Sequence, residues 1–174
     1  LLVTFYVKSP YTNIPHDEGI EHNIKHMVEF YGNDLPLPIH HLKQLFTFIL
    51  KNNYFTFNDE FFLQIHWTAM GSPFSPNYAN IFLWELENKI LNPLNHNNMP
   101  LLWKRYIDDI FVLWSEGKTK LLDFHKYINS IHPTIKFEMS YSEKKISFLD
   151  TTIYFNNNNH LESTLYTKPT DTHT

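Results

Sequence analysis

Apolar and β-favouring residues fill positions 1–8, which predicts a buried strand ended by Ser9-Pro10. Asn13-Ile14-Pro15 turns the chain, and Asp17-Glu18 suit the positive end of a helix. Ile20, Ile24, Met27 and Val28 recur at helical spacing through Phe30, until Gly32-Asn33-Asp34, Pro36 and Pro38 break the pattern. A second helix is predicted over residues 39–50, with Leu42, Leu45, Phe46, Ile49 and Leu50 as its apolar stripe. Residues 54–57 and 60–65 read as short aromatic strands about an Asn58-Asp59 hairpin turn. A Gly/Pro/Ser-rich loop over 68–76 leads to a third helix near 77–90, with Ala79, Phe82, Leu83, Leu86 and Ile90 on one side.

The second half changes period. Strands are predicted at 101–107 and 110–114, on either side of Asp108-Asp109, after a polar connector over 92–100. A helix follows within 116–131, starting near Thr119, then strands near 135–141, 146–155 and 161–166, with the Asn run at 156–159 as a turn. No repeat, second domain or linker interrupts residues 1–174. Strands broken by helices and then antiparallel strands predict one α+β domain, an antiparallel sheet with helices packed on one face.

Composition supports a folded core: 43% of residues are apolar and 17% aromatic, with 15 Phe and 10 Tyr, unlike a disordered tail. No apolar run reaches the roughly 18 residues of a membrane span, and no membrane association or signal peptide is expected. The absence of Cys excludes disulfides and thiolate chemistry. A nuclear or cytoplasmic setting is expected rather than secretion. The net charge is −4, from 14 basic and 18 acidic residues. That is a poor match to a protein that grips phosphates by itself, Lys104, Arg105, Lys118 and Lys120 being the only basic grouping. The chain begins on a strand at Leu1 and ends at Thr174 without a stop signal, so it reads as a fragment, a processed product being the other reading.

Asp108 and Asp109 are the most informative residues. Adjacent carboxylates repel and resist desolvation, so a solvated turn is the plain reading of the pair. The apolar flanks (Leu101, Trp103 and Tyr106 before, Phe111, Leu113 and Trp114 after) would instead hold the turn rigidly. Rigid carboxylates suit magnesium, although two-metal chemistry also needs an acid from a neighbouring strand. The 11 histidines offer no zinc pattern.

Tyr106-Ile107-Asp108-Asp109 resembles the catalytic hairpin of reverse transcriptases, with the closest likeness to Penelope-like retroelements, whose relatives include telomerase-like enzymes. Tyr11-Thr12-Asn13-Ile14-Pro15, Thr68-Ala69-Met70-Gly71-Ser72-Pro73, Ser75-Pro76 and Ala79-Asn80 resemble that family in the same order. His132 to Phe137, Phe148-Leu149-Asp150-Thr151 and Leu165 to Asp171 extend the likeness over nearly the whole chain.

The resemblance implies a polymerase palm acting on an RNA template, a DNA primer and a deoxynucleoside triphosphate. Two Mg²⁺ ions would be held partly by Asp108 and Asp109, and fingers and thumb would come from the parent protein. It further implies that Tyr11 acts as a steric gate beneath the incoming sugar. Gln64 and Gly71 would belong to the loop that positions template and nucleotide, and the Phe148-Leu149-Asp150 hairpin would grip the primer end. Lys136, and Lys144 or Lys145, are candidate triphosphate or backbone contacts; each is equally a solvated strand residue.

Three positions depart from the family. Tyr6 stands where the family has the Asp that completes the metal clamp, Pro10 where an apolar residue is usual, and Trp67 where Gly is common. A neutral phenol is no match for a carboxylate as a Mg²⁺ ligand at neutral pH. Two readings therefore stand: an RNA-directed DNA polymerase domain that is inactive in this copy, or a decayed or repurposed palm that only binds nucleic acid or protein.

Overall fold

The computed structural model describes residues 1–64, 68–69 and 72–166; Trp67, Gly71 and the chain from 167 onward lie outside the described residues. In chain order the elements are β1 (Leu2–Val7), α1 (Pro10–Asn13), α2 (His16–Tyr31), α3 (Ile39–Lys51), β2 (Asn53–Phe57), β3 (Glu60–Gln64) and α4 (Ser75–Ile90). They continue with β4 (Leu102–Tyr106), β5 (Asp109–Leu113), α5 (Gly117–Ile131), β6 (Phe137–Ser142), β7 (Lys145–Phe148), β8 (Thr151–Phe155) and β9 (Leu161–Leu165). The expected α+β class holds. The chain divides into two compact units, Leu1–Lys8 with Leu91–Thr174, and Ser9–Ile90.

In the first unit an antiparallel sheet runs in the order β4-β5-β1-β6, so β1 lies between strands that follow it by a hundred residues or more. Side chains alternate across the pleat, and residues opposite one another share a face. Val3, Phe5 and Val7 therefore point to one face with Ile110, Val112 and Phe137, and all six are buried. Helix α5 covers this face through Leu121, Phe124 and Ile128, spaced three and four residues apart and all fully buried. The Phe5 ring lies 6.4 Å from Phe124, 5.6 Å from Trp103 and 6.5 Å from Phe137. Burial of each such ring is worth about 1.5–3 kcal/mol. Gly117 opens α5 at φ +79, a conformation in which an L side chain would be strained.

Asn129 ties the helix to strand β6, where Oδ1 accepts the Phe137 N–H at 2.8 Å and Nδ2 donates to the Phe137 carbonyl at 3.1 Å. The opposite face carries Thr4, Tyr6, Asp109, Phe111 and Glu138, and Phe111 meets the Phe148 ring of β7 at 5.7 Å. Strands β7, β8 and β9 form an antiparallel meander. The single strand expected over 146–155 is thus two. Phe148 pairs with Thr151, leaving Leu149 (φ +51) and Asp150 as a tight turn, fixed by Tyr166 N–H donating to the Asp150 carbonyl at 2.8 Å. Leucine in a left-handed turn conformation is uncommon, so the apolar pattern reads straight through the reversal.

In the second unit α2 packs against α3 and α4. The contact with α4 centres on Gly19, where any Cβ would overlap the Tyr78 ring and hydroxyl. Asn23 Nδ2 donates to the carbonyls of Gly19 and Tyr78 at 2.8 and 3.2 Å, and Tyr78, fully buried, donates to the His16 carbonyl at 3.3 Å. The buried residues of α2 are Gly19, Ile20, Asn23 and Ile24; of the predicted stripe Ile20 and Ile24 are buried, Met27 is half-buried and Val28 exposed. On α4 the predicted stripe is buried throughout. On α3, Leu42, Phe46 and Leu50 are buried whereas Leu45 is exposed. Pro10, with its preset φ, starts the one-turn α1 that the sequence pattern did not predict. Asn58 and Asp59 form the expected hairpin turn at φ +52 and +61.

Candidate functional site

Strands β4 and β5 meet in a two-residue turn, Ile107-Asp108, closed by the pairing of Tyr106 with Asp109. Ile107 adopts φ +54, a region that disfavours β-branched side chains and that such turns usually reserve for glycine. Strain of this kind, of order 1–3 kcal/mol, persists only where the surroundings fix it. Here Arg105 Nη1 donates to the Ile107 carbonyl at 3.0 Å, and the Val7 N–H donates to the Asp108 carbonyl at 2.9 Å. The turn is thereby bound both to its own strand and to β1.

Register then decides what faces the acidic pair. Tyr6 lies opposite Asp109 on one side and opposite Glu138 on the other, so a row runs Tyr106, Asp109, Tyr6, Glu138 across all four strands. The Tyr6 phenol lies beside the Asp108 carboxylate. Burial, and then the nearby Asp108 carboxylate, hold the phenol above its ordinary value, so it stays protonated at neutral pH. Burial and the neighbouring Asp108 charge push Asp109 up as well.

The other carboxylate in the row, Glu138, is engaged elsewhere: Lys8 Nζ meets its Oε1 at 2.7 Å. Among the described residues no group of three or more carboxylate or imidazole side chains could hold a metal ion. A cation clamp needs oxygen acceptors converging on one point, but at this point Tyr6 presents a proton. The residues present do not fit the two Mg²⁺ ions that the resemblance implies. The cleft on this face, lined by Thr4, Tyr6, Asp109, Glu138, Ser147 and Phe148, holds about 140 Å³, against roughly 300–1,000 Å³ for an ordinary ligand pocket.

The remaining candidates scatter. Tyr11 sits in α1, where its carbonyl accepts the Thr68 N–H at 2.9 Å. Gln64 ends β3, and Gly71, with Trp67, lies outside the described residues. Lys136, read as a candidate phosphate contact, has its ammonium on the carbonyls of Asn129 (2.7 Å) and His132 (3.0 Å) at the end of α5. A cation there complements the negative helix end and is committed to it. Lys145 lies in β7, and the Lys144 backbone closes the β6–β7 turn through the Ser142 hydroxyl at 3.2 Å. Asp150 serves the β7–β8 turn. Sequence reasoning missed Glu138, and read Arg105 as part of a basic grouping rather than as the donor to the Ile107 carbonyl. Glu138 follows the quoted His132–Phe137 segment, and only the pairing of β6 with β1 reveals that it faces Tyr6.

The sheet, helices and acidic hairpin together define a fold of the reverse-transcriptase-like kind. The chain is similar to the solved structure of apo telomerase from Candida tropicalis, truncated from the C-terminal domain, with a TM-score of 0.61 and 14% identity. The similarity covers 94% of this chain and 35% of the telomerase chain, so it spans about a third of that protein. No family model and no curated protein matches the sequence. No helix among the described residues is long and apolar enough to cross a membrane.

Proposed function

We propose that this chain is the palm domain of an RNA-directed DNA polymerase of Penelope-like retroelement descent, and that nucleotidyl transfer has been lost in this copy. One observation carries the reading: Tyr6, at the strand position where the resemblance calls for a metal-binding Asp, lies opposite Asp109 and beside Asp108, its phenol held protonated by burial and by those charges. A phenol held protonated supplies no negative charge to a cation. The fold likeness to telomerase and the ordered series of motifs support the ancestry. The register of Tyr6 supports the loss.

Mn²⁺ binding and primer extension test the two parts separately. Unaltered chain and the Tyr6→Asp variant are titrated with Mn²⁺, then assayed on a DNA primer annealed to an RNA template. Tyr6→Asp is expected to bind Mn²⁺ at least about tenfold more tightly, because an acceptor replaces a donor, and Asp108→Ala in that background should abolish the gain. The unaltered chain is expected to extend nothing. Extension by the unaltered chain that disappears in Asp108→Ala would overturn the inactive reading. Failure of Tyr6→Asp to gain Mn²⁺ affinity would overturn the account of Tyr6.

A further inference from the structure

The hairpin turns at Asn58-Asp59 and Ile107-Asp108 both have two residues, but they differ in one dihedral. Asn58 and Asp59 both have positive φ, +52 and +61, the φ pattern of a type I′ turn. At the acidic hairpin Ile107 has φ +54 whereas φ of Asp108 is negative, the φ pattern of a type II′ turn. The two forms are related by a flip of the peptide that joins the central residues, and this peptide carries the carbonyl of the first. Glycine is the residue that normally selects type II′, and a β-branched side chain is among the least suited to it. Local sequence therefore does not hold the Ile107–Asp108 peptide in its observed orientation.

We propose that Arg105 is the positioning residue of the acidic pair and acts through the Ile107–Asp108 peptide. Its Nη1 donates to the Ile107 carbonyl at 3.0 Å, the group that a flip would turn away. The Val7 N–H anchors the turn as well, on the Asp108 carbonyl at 2.9 Å, but that carbonyl lies beyond the peptide that flips. Of these two bonds only the one from Arg105 distinguishes the two forms, and a hydrogen bond from a charged donor is among the stronger ones. Arg105 lies opposite Ile110 in the ladder, so it belongs to the sheet face covered by α5, away from the face of Tyr6 and Asp109. The choice of form reaches the acids because Asp108 reverses the sign of its own φ in the flip, and side-chain rotamers follow the backbone. The form held by Arg105 is the one that sets Asp108 beside the Tyr6 phenol.

Charge and position predict opposite outcomes for this arginine. A guanidinium at the turn repels a divalent cation, so by charge alone its loss tightens Mn²⁺ binding at Asp108 and Asp109. Loss of the carbonyl anchor lets the turn populate both forms, which weakens binding that needs both carboxylates in place. The cation readout rests on the reading of Asp108 and Asp109 as half of a metal clamp. The state of the turn does not, and it is measured separately.

Amide hydrogen exchange is followed in the full 174-residue chain with Tyr6 in place, and Mn²⁺ is titrated into the Tyr6→Asp chain. Arg105→Ala should speed exchange of the Val7 amide, whose acceptor is in the turn, at least about fivefold. The Val112 amide, in the middle of the same sheet, should be unchanged. In the Tyr6→Asp background Arg105→Ala should weaken Mn²⁺ binding about fivefold, and Arg105→Lys, which keeps a charged donor, should recover most of the loss. Adding Ile107→Gly to Arg105→Ala should return both readouts to within about twofold, because glycine selects type II′ unaided. Tighter Mn²⁺ binding in Arg105→Ala, equal acceleration at Val7 and Val112, or no rescue by Ile107→Gly would overturn the proposal. Failure of Tyr6→Asp to bind Mn²⁺ would overturn the reading of Tyr6 instead. Exchange at Val7 and its rescue by Ile107→Gly then decide the role of Arg105 by themselves.

Discussion

Tyr6 of β1 lies opposite Asp109 of β5, with its phenol beside the Asp108 carboxylate at the tip of the acidic hairpin. The two acids still repel: Asp109 keeps an affinity for protons raised by burial and by the charge of Asp108.

Asp109 therefore predicts a pH signature. Its folded-state affinity for protons is above the ordinary 3.8, so its ionisation opposes folding. The penalty is absent below that pH and appears as pH rises through the raised folded value. Asp109→Asn should stabilise the chain at pH 7 and lose its advantage below pH 3.8. Because the group is partly solvated, screening holds the gain to about a few tenths of a kcal/mol. Urea denaturation of both chains at the two pH values measures it.

The turn residue Ile107 gives a second prediction. At φ +54 a β-branched side chain is strained, and Ile107 is 36% exposed, so little burial is lost on its removal. Ile107→Gly should raise stability by about 1 kcal/mol. A lower denaturation midpoint instead would show that the isoleucine side chain contributes more than its backbone costs.

Helix α2 predicts the opposite behaviour for a glycine. Alanine is the better helix former by about 1 kcal/mol, yet Gly19→Ala should destabilise by about 1–3 kcal/mol. The added methyl would drive into Tyr78, which is fully buried and bonded to the His16 carbonyl. Thermal or urea unfolding separates the two signs.

His22 makes the unit acid-sensitive. Burial, and then Lys89, lower its affinity for protons, and its ring lies tilted against Phe82, 5.3 Å between centroids. Full stability is present above its ordinary value of 6.5 and declines as pH falls from there through the lowered folded value. His22→Phe should flatten the stability profile between pH 7 and 5. Its ring resonance, followed by NMR, should titrate below 6.5.

Much of this was legible in the sequence. Period and punctuation determined where most strands and helices lie, since apolar spacing reports the face each element must bury. The Asn58-Asp59 hairpin, the full stripe of α4 and the two strands around Asp108-Asp109 were readable for that reason. The order of motifs on both sides of the acidic hairpin carried the likeness to reverse transcriptases. Tyr6 could be named as a departure only through the resemblance, which calls for an acid at that position. What stands around Tyr6 was decided by the tertiary structure, because strand register is a long-range property: β1 pairs with β5 and β6, a hundred or more residues away. That pairing set Tyr6 beside Asp108 and Asp109, brought Glu138 into the row and left it paired with Lys8. It also revealed Lys136 as the cap of a helix end, and Leu149-Asp150 as a reversal hidden inside an apolar run. Local pattern fixes which face a side chain occupies, whereas its partner across the sheet depends on contacts no local window contains.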